Sequence, residues 1–259
     1  MGKEEPGGVR GQTDIARAAA LIADPSRARI LKALSDGRSL SASLLAEEAG
    51  VTPQTVSAHL TKLVDGQLIT VERFGRQRNY RLTGPEVTEA LEALAVIAPP
   101  LKVSSLRESN RANALRRSRT CYDHLAGALG VALMRAMLDD GVLSGHDGGY
   151  DPDEAVRDRP AAYGHDLEYR ITERGARRLA EYGVDIDQFP HRRAVIRYCV
   201  DWSERQHHLS GALGAAITAR MFALDWLRYG VSPRVVHLTD AGAEGLQRTF
   251  GMTTTNEGQ

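Results

Sequence analysis

The most constraining feature of this sequence is a fixed order of helix and strand signals in residues 52–82. Thr52 followed by Pro53 is typical of a helix start, because the hydroxyl caps free backbone N–H groups and proline lacks one. Apolar residues then recur at helical spacing on one side of the segment, which a Gly-containing turn ends. Two short runs with strand character flank Gly75 and predict a β-hairpin.

Similar start and stop signals divide the rest of the N-terminal region into helices. Asp24 and Pro25 begin a helix that Gly37 ends. The predicted helices are 13–23, 24–37, 41–49, 53–65 and 85–97. The chain is therefore predicted to be mainly α-helical with small β-hairpins, an α+β fold. We divide it into a winged helix–turn–helix domain at 13–98, a basic linker or helix at 99–119 and a C-terminal domain at 120–252.

The formal net charge of zero conceals an uneven distribution along the chain. Residues 24–83 carry a net charge of +3 and residues 101–119 carry +5, whereas residues 120–259 carry −5. A positively charged region attracts polyanions, so the N-terminal part is suited to nucleic acid and the C-terminal part is not.

The helix that starts at Pro53 presents polar side chains opposite its apolar stripe. A helix that enters the major groove of DNA needs such side chains in its N-terminal half, while lysine and wing arginines reach phosphates or the minor groove. The candidate residues for binding double-stranded DNA are Gln54, Thr55, Ser57, Ala58, His59, Lys62, Arg73, Arg76 and Arg78. His59 is also explained as a packing residue beside Leu60. The alternative interpretation of the whole region is an amphipathic helix beside a solvated, charged hairpin.

The stretches "DPSRARILKAL" and "TVSAHLTKLVDGQLI … YRLT" resemble the ArsR/SmtB family of bacterial repressors. The resemblance covers about residues 13–97. It implies a homodimer, joined through the first and last helices of this domain, that binds a palindromic operator. It also implies that Thr55, Ser57 and His59 lie in the recognition helix and that Arg76 and Arg78 lie in the wing.

Two metal-sensing patterns of that family are missing from the sequence. Where some members carry Cys-x-Cys, this chain has Ser41-Ala42-Ser43, and hydroxyl groups are poor substitutes for thiolates. Other members use histidine on the last helix of the domain, but 85–97 contains none. A sensing site is therefore expected in the second half of the chain.

The second half contains an internal repeat. Three blocks recur in the same order: 119–123 at 197–201, 124–133 at 208–217, and 171–179 at 238–246. We interpret them as two diverged, winged-helix-like copies. The loop of the first copy is acidic and would repel phosphates, so this domain is expected to serve dimerisation or effector binding rather than DNA binding.

The repeats also contain the candidate metal ligands Cys121, His124, Cys199 and His208. Cys121 and His124 are predicted to share one helix face because they are three residues apart. If the copies pack about a pseudo-twofold axis, two thiolates and two imidazoles could form a tetrahedral zinc-type site. The cysteines alone could form a disulfide switch. The third interpretation is that the cysteines are small buried packing residues and the histidines hydrogen-bond near helix starts.

These observations favour a non-enzymatic transcriptional regulator, most simply a repressor, with a metal or small-molecule effector. The rival is a metal- or redox-binding module that uses Cys121, His124, Cys199 and His208, with the N-terminal domain serving only dimerisation. Because the sequence has two cysteines, no long apolar run and no apolar core in its first twelve residues, we expect a cytoplasmic protein without a membrane span.

Overall fold

The computed structural model describes residues 13–75, 77–99, 105–150 and 167–253. Helices predominate and the strands form small antiparallel sheets, so the predicted fold class is confirmed. Within the described residues the chain forms two compact units. The first unit is built from 13–33 and 39–83, and the second from 34–38 and everything after residue 83.

The first unit contains a winged helix–turn–helix. Its elements are α1 (Ile15–Ile22), α2 (Pro25–Ala33), β1 (Leu40–Ser41), α3 (Ala42–Ala49), α4 (Pro53–Asp65), β2 (Ile69–Phe74) and β3 (Gln77–Leu82). The side chains of Asp14, Ser41 and Thr52 cap α1, α3 and α4 by accepting backbone N–H groups. The helix that was predicted to reach Gly37 ends at Ala33.

The three strands of this unit form one antiparallel sheet in the order β1-β3-β2. β2 and β3 make the predicted hairpin, in which Ile69 pairs with Leu82 at the open end. The sequence did not reveal β1, because a strand of two residues has no periodicity to recognise. Apolar side chains of the helices and the sheet form the core of the unit: Ile30, Leu31, Leu45, Val56, Leu60, Leu63, Ile69 and Leu82.

The second unit begins with α5 (Pro85–Ile97) and α6 (Leu106–Arg117) and then shows one pattern twice. The first set is β4 (Arg119–Cys121), β5 (His124–Ala126), α7 (Gly127–Asp139), β6 (Leu143–Gly145), β7 (Tyr169–Ile171) and α8 (Glu173–Tyr182). After a short 3-10 helix (Ile186–Gln188) the second set is β8 (Arg197–Val200), β9 (His207–Ser210), α9 (Gly211–Ala223), β10 (Leu227–Tyr229), β11 (Val236–Leu238) and α10 (Asp240–Phe250).

Each set is therefore a hairpin, a helix, a second hairpin and a second helix. One continuous apolar core joins them, with Met134 and Met137 from α7 and Leu213, Ile217 and Met221 from α9. No helix among the residues described has both the length and the apolar character that a membrane span requires.

α7 and α9 each begin immediately after a hairpin and pack closely on it. Gly127 and Gly211, the first residues of the two helices, have left-handed backbone conformations (φ +77° and +78°) that favour glycine. One turn later, a Cβ atom on Gly130 would lie 2.5 Å from the Leu125 carbonyl oxygen. A Cβ atom on Gly214 would lie 2.6 Å from the Leu209 carbonyl oxygen. The glycines thus let each helix sit directly on its hairpin backbone.

Candidate nucleic-acid interface and metal centre

The exposed face of α4 carries the polar residues expected of a recognition helix. Val56, Leu60 and Leu63 are buried in the first unit, so the opposite side of the helix is left to solvent. The exposed residues on that side are Gln54, Thr55, Ser57, Ala58, Thr61 and Lys62. The structure therefore presents the predicted contact residues of α4 to solvent on one surface, with His59 as the exception.

Local hydrogen bonds fix the hydroxyl groups on this face. Ser57 Oγ donates to the Pro53 carbonyl at 3.0 Å, and Thr61 Oγ1 donates to the Ser57 carbonyl at 3.0 Å. The hydroxyls of Thr52 and Thr55 bond to each other at 2.8 Å. A hydroxyl oxygen that donates its proton to the backbone keeps its lone pairs, so Ser57 and Thr61 present acceptors on this surface.

His59 occupies a different position from its polar neighbours. Its side chain is only 16% exposed, and its Nδ1 atom lies 3.7 Å from Asp24 Oδ1 at the start of α2. The ring is thus directed toward the helix layer of the first unit.

The hairpin places two of the predicted wing arginines directly opposite each other. Arg73 on β2 pairs in register with Arg78 on β3, and both residues are exposed. Like charges in directly opposed positions destabilise a strand pair unless an anion lies between them. Arg81, by contrast, forms a 2.5 Å ion pair with Glu72. Arg76 lies outside the described residues.

The four candidate metal ligands lie on two hairpins of the second unit. Cys121 on β4 pairs in register with His124 on β5, and Cys199 on β8 pairs with His208 on β9. The prediction that Cys121 and His124 share a helix face was therefore wrong. The chain reverses between them through a two-residue turn in which Tyr122 has a left-handed backbone (φ +56°), a conformation the residue spacing did not indicate.

The two hairpins bring these four side chains together. One ligand atom from each residue lies within 4.8 Å of each of the others, in the cluster Cys121, His124, Cys199 and His208. His124 Nε2 is 3.6 Å from Cys199 Sγ, and the rings of His124 and His208 stack with centroids 5.2 Å apart. Three of the residues are buried and Cys199 is half-buried. Two sulfurs and two imidazole nitrogens form the donor set of many tetrahedral zinc sites.

A carboxylate lies behind each histidine of this Cys/His cluster. Asp123 Oδ1 is 3.4 Å from His124 Nδ1, and Asp201 Oδ2 is 3.4 Å from His208 Nδ1. Each aspartate follows the cysteine of its own hairpin by two residues. A carboxylate at Nδ1 orients an imidazole so that Nε2 is available to a metal ion.

Asp201 is completely buried and strongly anchored. Its carboxylate accepts from Arg119 Nη2 at 2.9 Å, from the Gly127 N–H at 2.7 Å and from the Ser203 N–H at 2.9 Å. Burial would raise the pKa of Asp201, but His208, Arg119 and these hydrogen bonds together lower it well below its usual range. The aspartate is therefore ionised and fixed in position behind the cluster. Sequence reasoning missed the role of Arg119, which lies in the repeated block at 119–123.

The imidazole of His208 is buried beside Asp201, yet neither of its ring nitrogens makes a hydrogen bond within the part of the chain described. The residue is 2% exposed. An unsatisfied buried polar group costs about 1–3 kcal/mol, a cost that coordination of a cation would remove. The donor chemistry and this unsatisfied imidazole both fit a thiophilic divalent cation.

Two of the four candidate ligands, Cys121 and His124, have raised pKa values and hold their protons near neutral pH. A hydrogen bond with Cys199, together with burial, raises the pKa of the Cys121 thiol to about 12. Burial opposes protonation of His124, but the Cys121 side chain and the Asp123 carboxylate raise the pKa of its imidazole to about 9. A metal ion would have to displace these protons, because metals bind thiolate and neutral imidazole.

His207, the neighbour of His208, points away from the cluster. Its Nδ1 atom is 2.6 Å from Tyr169 Oη, and its ring stacks on Tyr198 with centroids 4.1 Å apart. Successive residues of a strand face opposite sides, so only one of the two histidines reaches the ligands.

Comparisons with known proteins agree with the architecture of the first unit. A helix-turn-helix domain family model matches residues 22–72. The uncharacterized HTH-type transcriptional regulator YdfF of Bacillus subtilis (strain 168) is 40% identical over 230 residues, which cover 88% of this chain and 93% of that protein. The HTH-type transcriptional regulator CmtR of Mycobacterium tuberculosis is 36% identical over 86 residues, which cover 33% of this chain and 72% of that protein.

Among solved structures, the homodimeric winged helix-turn-helix domain of Mb0332 from Mycobacterium bovis is 28% identical and covers 34% of this chain and 89% of its own, with a TM-score of 0.30. The similarity to YdfF extends along nearly the whole of both chains. With the capped helix–turn–helix and the wing, it shows that the chain belongs to the family of HTH-type transcriptional regulators.

Proposed function

We propose that this regulator represses transcription in the cytoplasm by binding a palindromic operator as a homodimer, and that a metal ion at the Cys/His cluster is its effector. The observation that carries the DNA-binding part is the directly opposed pair Arg73 and Arg78, next in sequence to a recognition helix with an exposed polar face. Phosphates would relieve the repulsion between these arginines. The name of one relative, the probable mercury resistance operon repressor of Streptomyces lividans, supports regulation of the repressor type.

The DNA-binding proposal is tested with duplexes that the wild-type protein selects from a random library. Affinity for the enriched duplex is measured by fluorescence anisotropy at several salt concentrations. The Arg73→Ala, Arg78→Ala double variant should bind at least about tenfold more weakly, and its salt dependence should fall by about two phosphate contacts. Arg170→Ala, at an exposed position in the second unit, is the matched control and should change neither quantity.

The palindromic operator, the homodimer and repression are tested separately, from the enriched sequence, the mass of the protein in solution and reporter expression. A homodimer should select two inverted half-sites spaced by about one helical turn of DNA, and light scattering should give twice the chain mass. Placed over a promoter, the enriched duplex should lower reporter expression in the presence of the protein. If no duplex is enriched, the DNA-binding proposal fails and the first unit serves dimerisation instead.

The metal proposal rests on the unsatisfied imidazole of His208 inside a Cys₂His₂ donor set. Cys121, His124, Cys199 and His208 would hold the ion, while Asp123 and Asp201 would orient the two imidazoles. All protein ligands are supplied by one chain, and four such ligands are typical of a structural or sensing zinc site rather than a catalytic one.

This part is tested by loading the reduced protein with Zn²⁺, removing excess metal and measuring zinc per chain. We expect one zinc per chain in the wild type and almost none in the Cys121→Ser, Cys199→Ser variant. His208→Gln should also lose zinc, whereas His191→Gln, at an exposed histidine, should not. Equal and negligible zinc in all four proteins would exclude the metal effector. Formation of a Cys121–Cys199 disulfide under mild oxidation would then favour the redox alternative.

A further inference from the structure

The turn between Cys121 and His124 contacts a segment from much earlier in the chain. The Tyr122 N–H donates to the Ser35 carbonyl oxygen at 2.7 Å. The Tyr122 ring lies against Gly37, where an added Cβ atom would be 3.4 Å from the ring. Gly37 has a left-handed backbone (φ +73°), which favours glycine, so the ring packs against a turn of the chain.

This segment, residues 34–38, joins α2 to β1 but packs within the second unit. Leu34 and Ser35 are completely buried. Arg38 forms a 2.6 Å ion pair with Asp36, and its guanidinium lies 3.8 Å from the centre of the Tyr229 ring. These contacts hold residues 34–38 in the same unit as the Cys/His cluster, although the segment leads directly into the helix–turn–helix.

Metal binding would change the shape of the turn. In a tetrahedral zinc site with Zn–S of about 2.3 Å and Zn–N of about 2.0 Å, ligand atoms are about 3.3–3.8 Å apart. The ligand atoms here lie up to 4.8 Å apart. Closing the cluster would therefore shorten the longest separation between ligand atoms by about 1–1.5 Å. Tyr122 is bonded to Cys121 and is separated from His124 by one residue, so a shift of either ligand is passed to it.

Resting on the proposed function, we infer that the Tyr122 contact with residues 34–38 couples metal binding at the cluster to the DNA affinity of the helix–turn–helix. A ligand shifts a conformational equilibrium only when it binds the two states differently. The contraction of the cluster supplies that difference. Tyr122 transmits the movement of the cluster to residues 34–38, the loop that precedes α3 and α4 in the chain. Tyr122 is thus a positioning residue that binds neither metal nor DNA.

The test measures affinity of the full-length protein for the enriched duplex with and without Zn²⁺. In the wild type the two dissociation constants should differ at least about fivefold, the usual lower range of allosteric coupling. Tyr122→Gly still allows the left-handed turn but removes the ring. In this variant the dissociation constants with and without Zn²⁺ should differ by no more than about twofold. Its zinc affinity, measured against a chelator, should stay within about threefold of the wild type. Tyr122→Asn, which also tolerates this backbone, gives the same readout if the glycine variant does not fold.

Two controls separate the ring from the backbone. Tyr122→Phe keeps the ring, so Zn²⁺ should change its affinity for the duplex by the same factor as in the wild type. Asp225→Gly makes the same backbone change at another left-handed turn (φ +57°) and should also couple normally. The inference is overturned if Tyr122→Gly and Tyr122→Asn retain the wild-type ratio, or if the wild type binds both zinc and duplex without mutual effect. A wild type that binds no zinc, or selects no duplex, overturns the proposed function and this inference with it.

Discussion

The Nε2 atom of His124 in the first hairpin lies 3.6 Å from the Sγ atom of Cys199 in the second. Each of these residues also faces a Cys or His partner in its own hairpin. The Cys/His cluster is therefore held together both within and between the two repeated halves of the second unit. A substitution that disturbs either half should therefore change the geometry of all four residues of the cluster.

The first prediction concerns the carboxylate behind His124. Asp123→Asn should weaken zinc binding by about 10–100-fold, because the amide no longer accepts a charge-assisted hydrogen bond from Nδ1. Arg193→Ala is the matched control: it removes the 2.6 Å ion pair of Asp123 but leaves the carboxylate in place. Competition with a chelator measures both affinities. An equal loss in the two variants would mean that the ion pair, and not the orientation of His124, matters.

The second prediction is that zinc binding strengthens as pH rises. Cys121 with a pKa of about 12 and His124 with a pKa of about 9 both carry protons at pH 6–8, and zinc must displace them. The apparent association constant should therefore rise by roughly tenfold to a hundredfold per pH unit over this range. Proton release on zinc addition, followed with an indicator in weak buffer, checks the mechanism. A pH-independent affinity would contradict displacement of these protons.

The third prediction is that replacing Gly214 by alanine destabilises the protein, although the same replacement in a helix usually stabilises it. Gly→Ala within a helix normally stabilises by about 0.5–1 kcal/mol. At Gly214 the new methyl group would lie 2.6 Å from the Leu209 carbonyl oxygen and 3.3 Å from His124 Cβ. Gly214→Ala should therefore lower the free energy of unfolding by about 1–3 kcal/mol and weaken zinc binding. Urea denaturation measures the first effect. Ala219→Gly, at an exposed position of α9, should cost only about 0.5–1 kcal/mol and spare zinc binding.

The fourth prediction separates stability from DNA affinity in the wing. Arg78→Glu places an acid directly opposite Arg73 and converts a repulsive pair into an attractive one. The free protein should gain about 0.2–1 kcal/mol of stability at low salt, while binding to the enriched duplex is lost. Thermal unfolding and anisotropy give the two readouts. A variant that is less stable and still binds the duplex would contradict the role assigned to this pair.

Much of the first unit was predictable because its signals are local. Capping residues at Ser41 and Thr52, a proline at Pro53 and the apolar stripe of α4 each act within a few residues of the chain. The hairpin pairing was also visible, since β2 and β3 are joined by a short turn at Gly75. The two-residue strand β1 was not, because its pairing with β3 depends on contacts made about 40 residues away along the chain.

The second unit shows where local patterns mislead. The spacing of Cys121 and His124 fits a helix face and a tight hairpin equally well, and only the left-handed backbone of Tyr122 distinguishes them. The internal repeat indicated which four residues could meet, yet nothing in it specified the pairing register. The contact of Tyr122 with Ser35 joins residues 87 positions apart, and no periodic pattern in the sequence predicts it.

Both hairpins of the Cys/His cluster belong to one polypeptide, and this has a thermodynamic consequence. Sites shared between two chains come apart on dilution, whereas ligands tethered in one chain keep a fixed effective concentration around each other. If the cluster binds a cation as proposed, its affinity would thereby be independent of how much protein a cell contains. A regulator present in a few copies can then respond to the same ion concentration as one present in thousands.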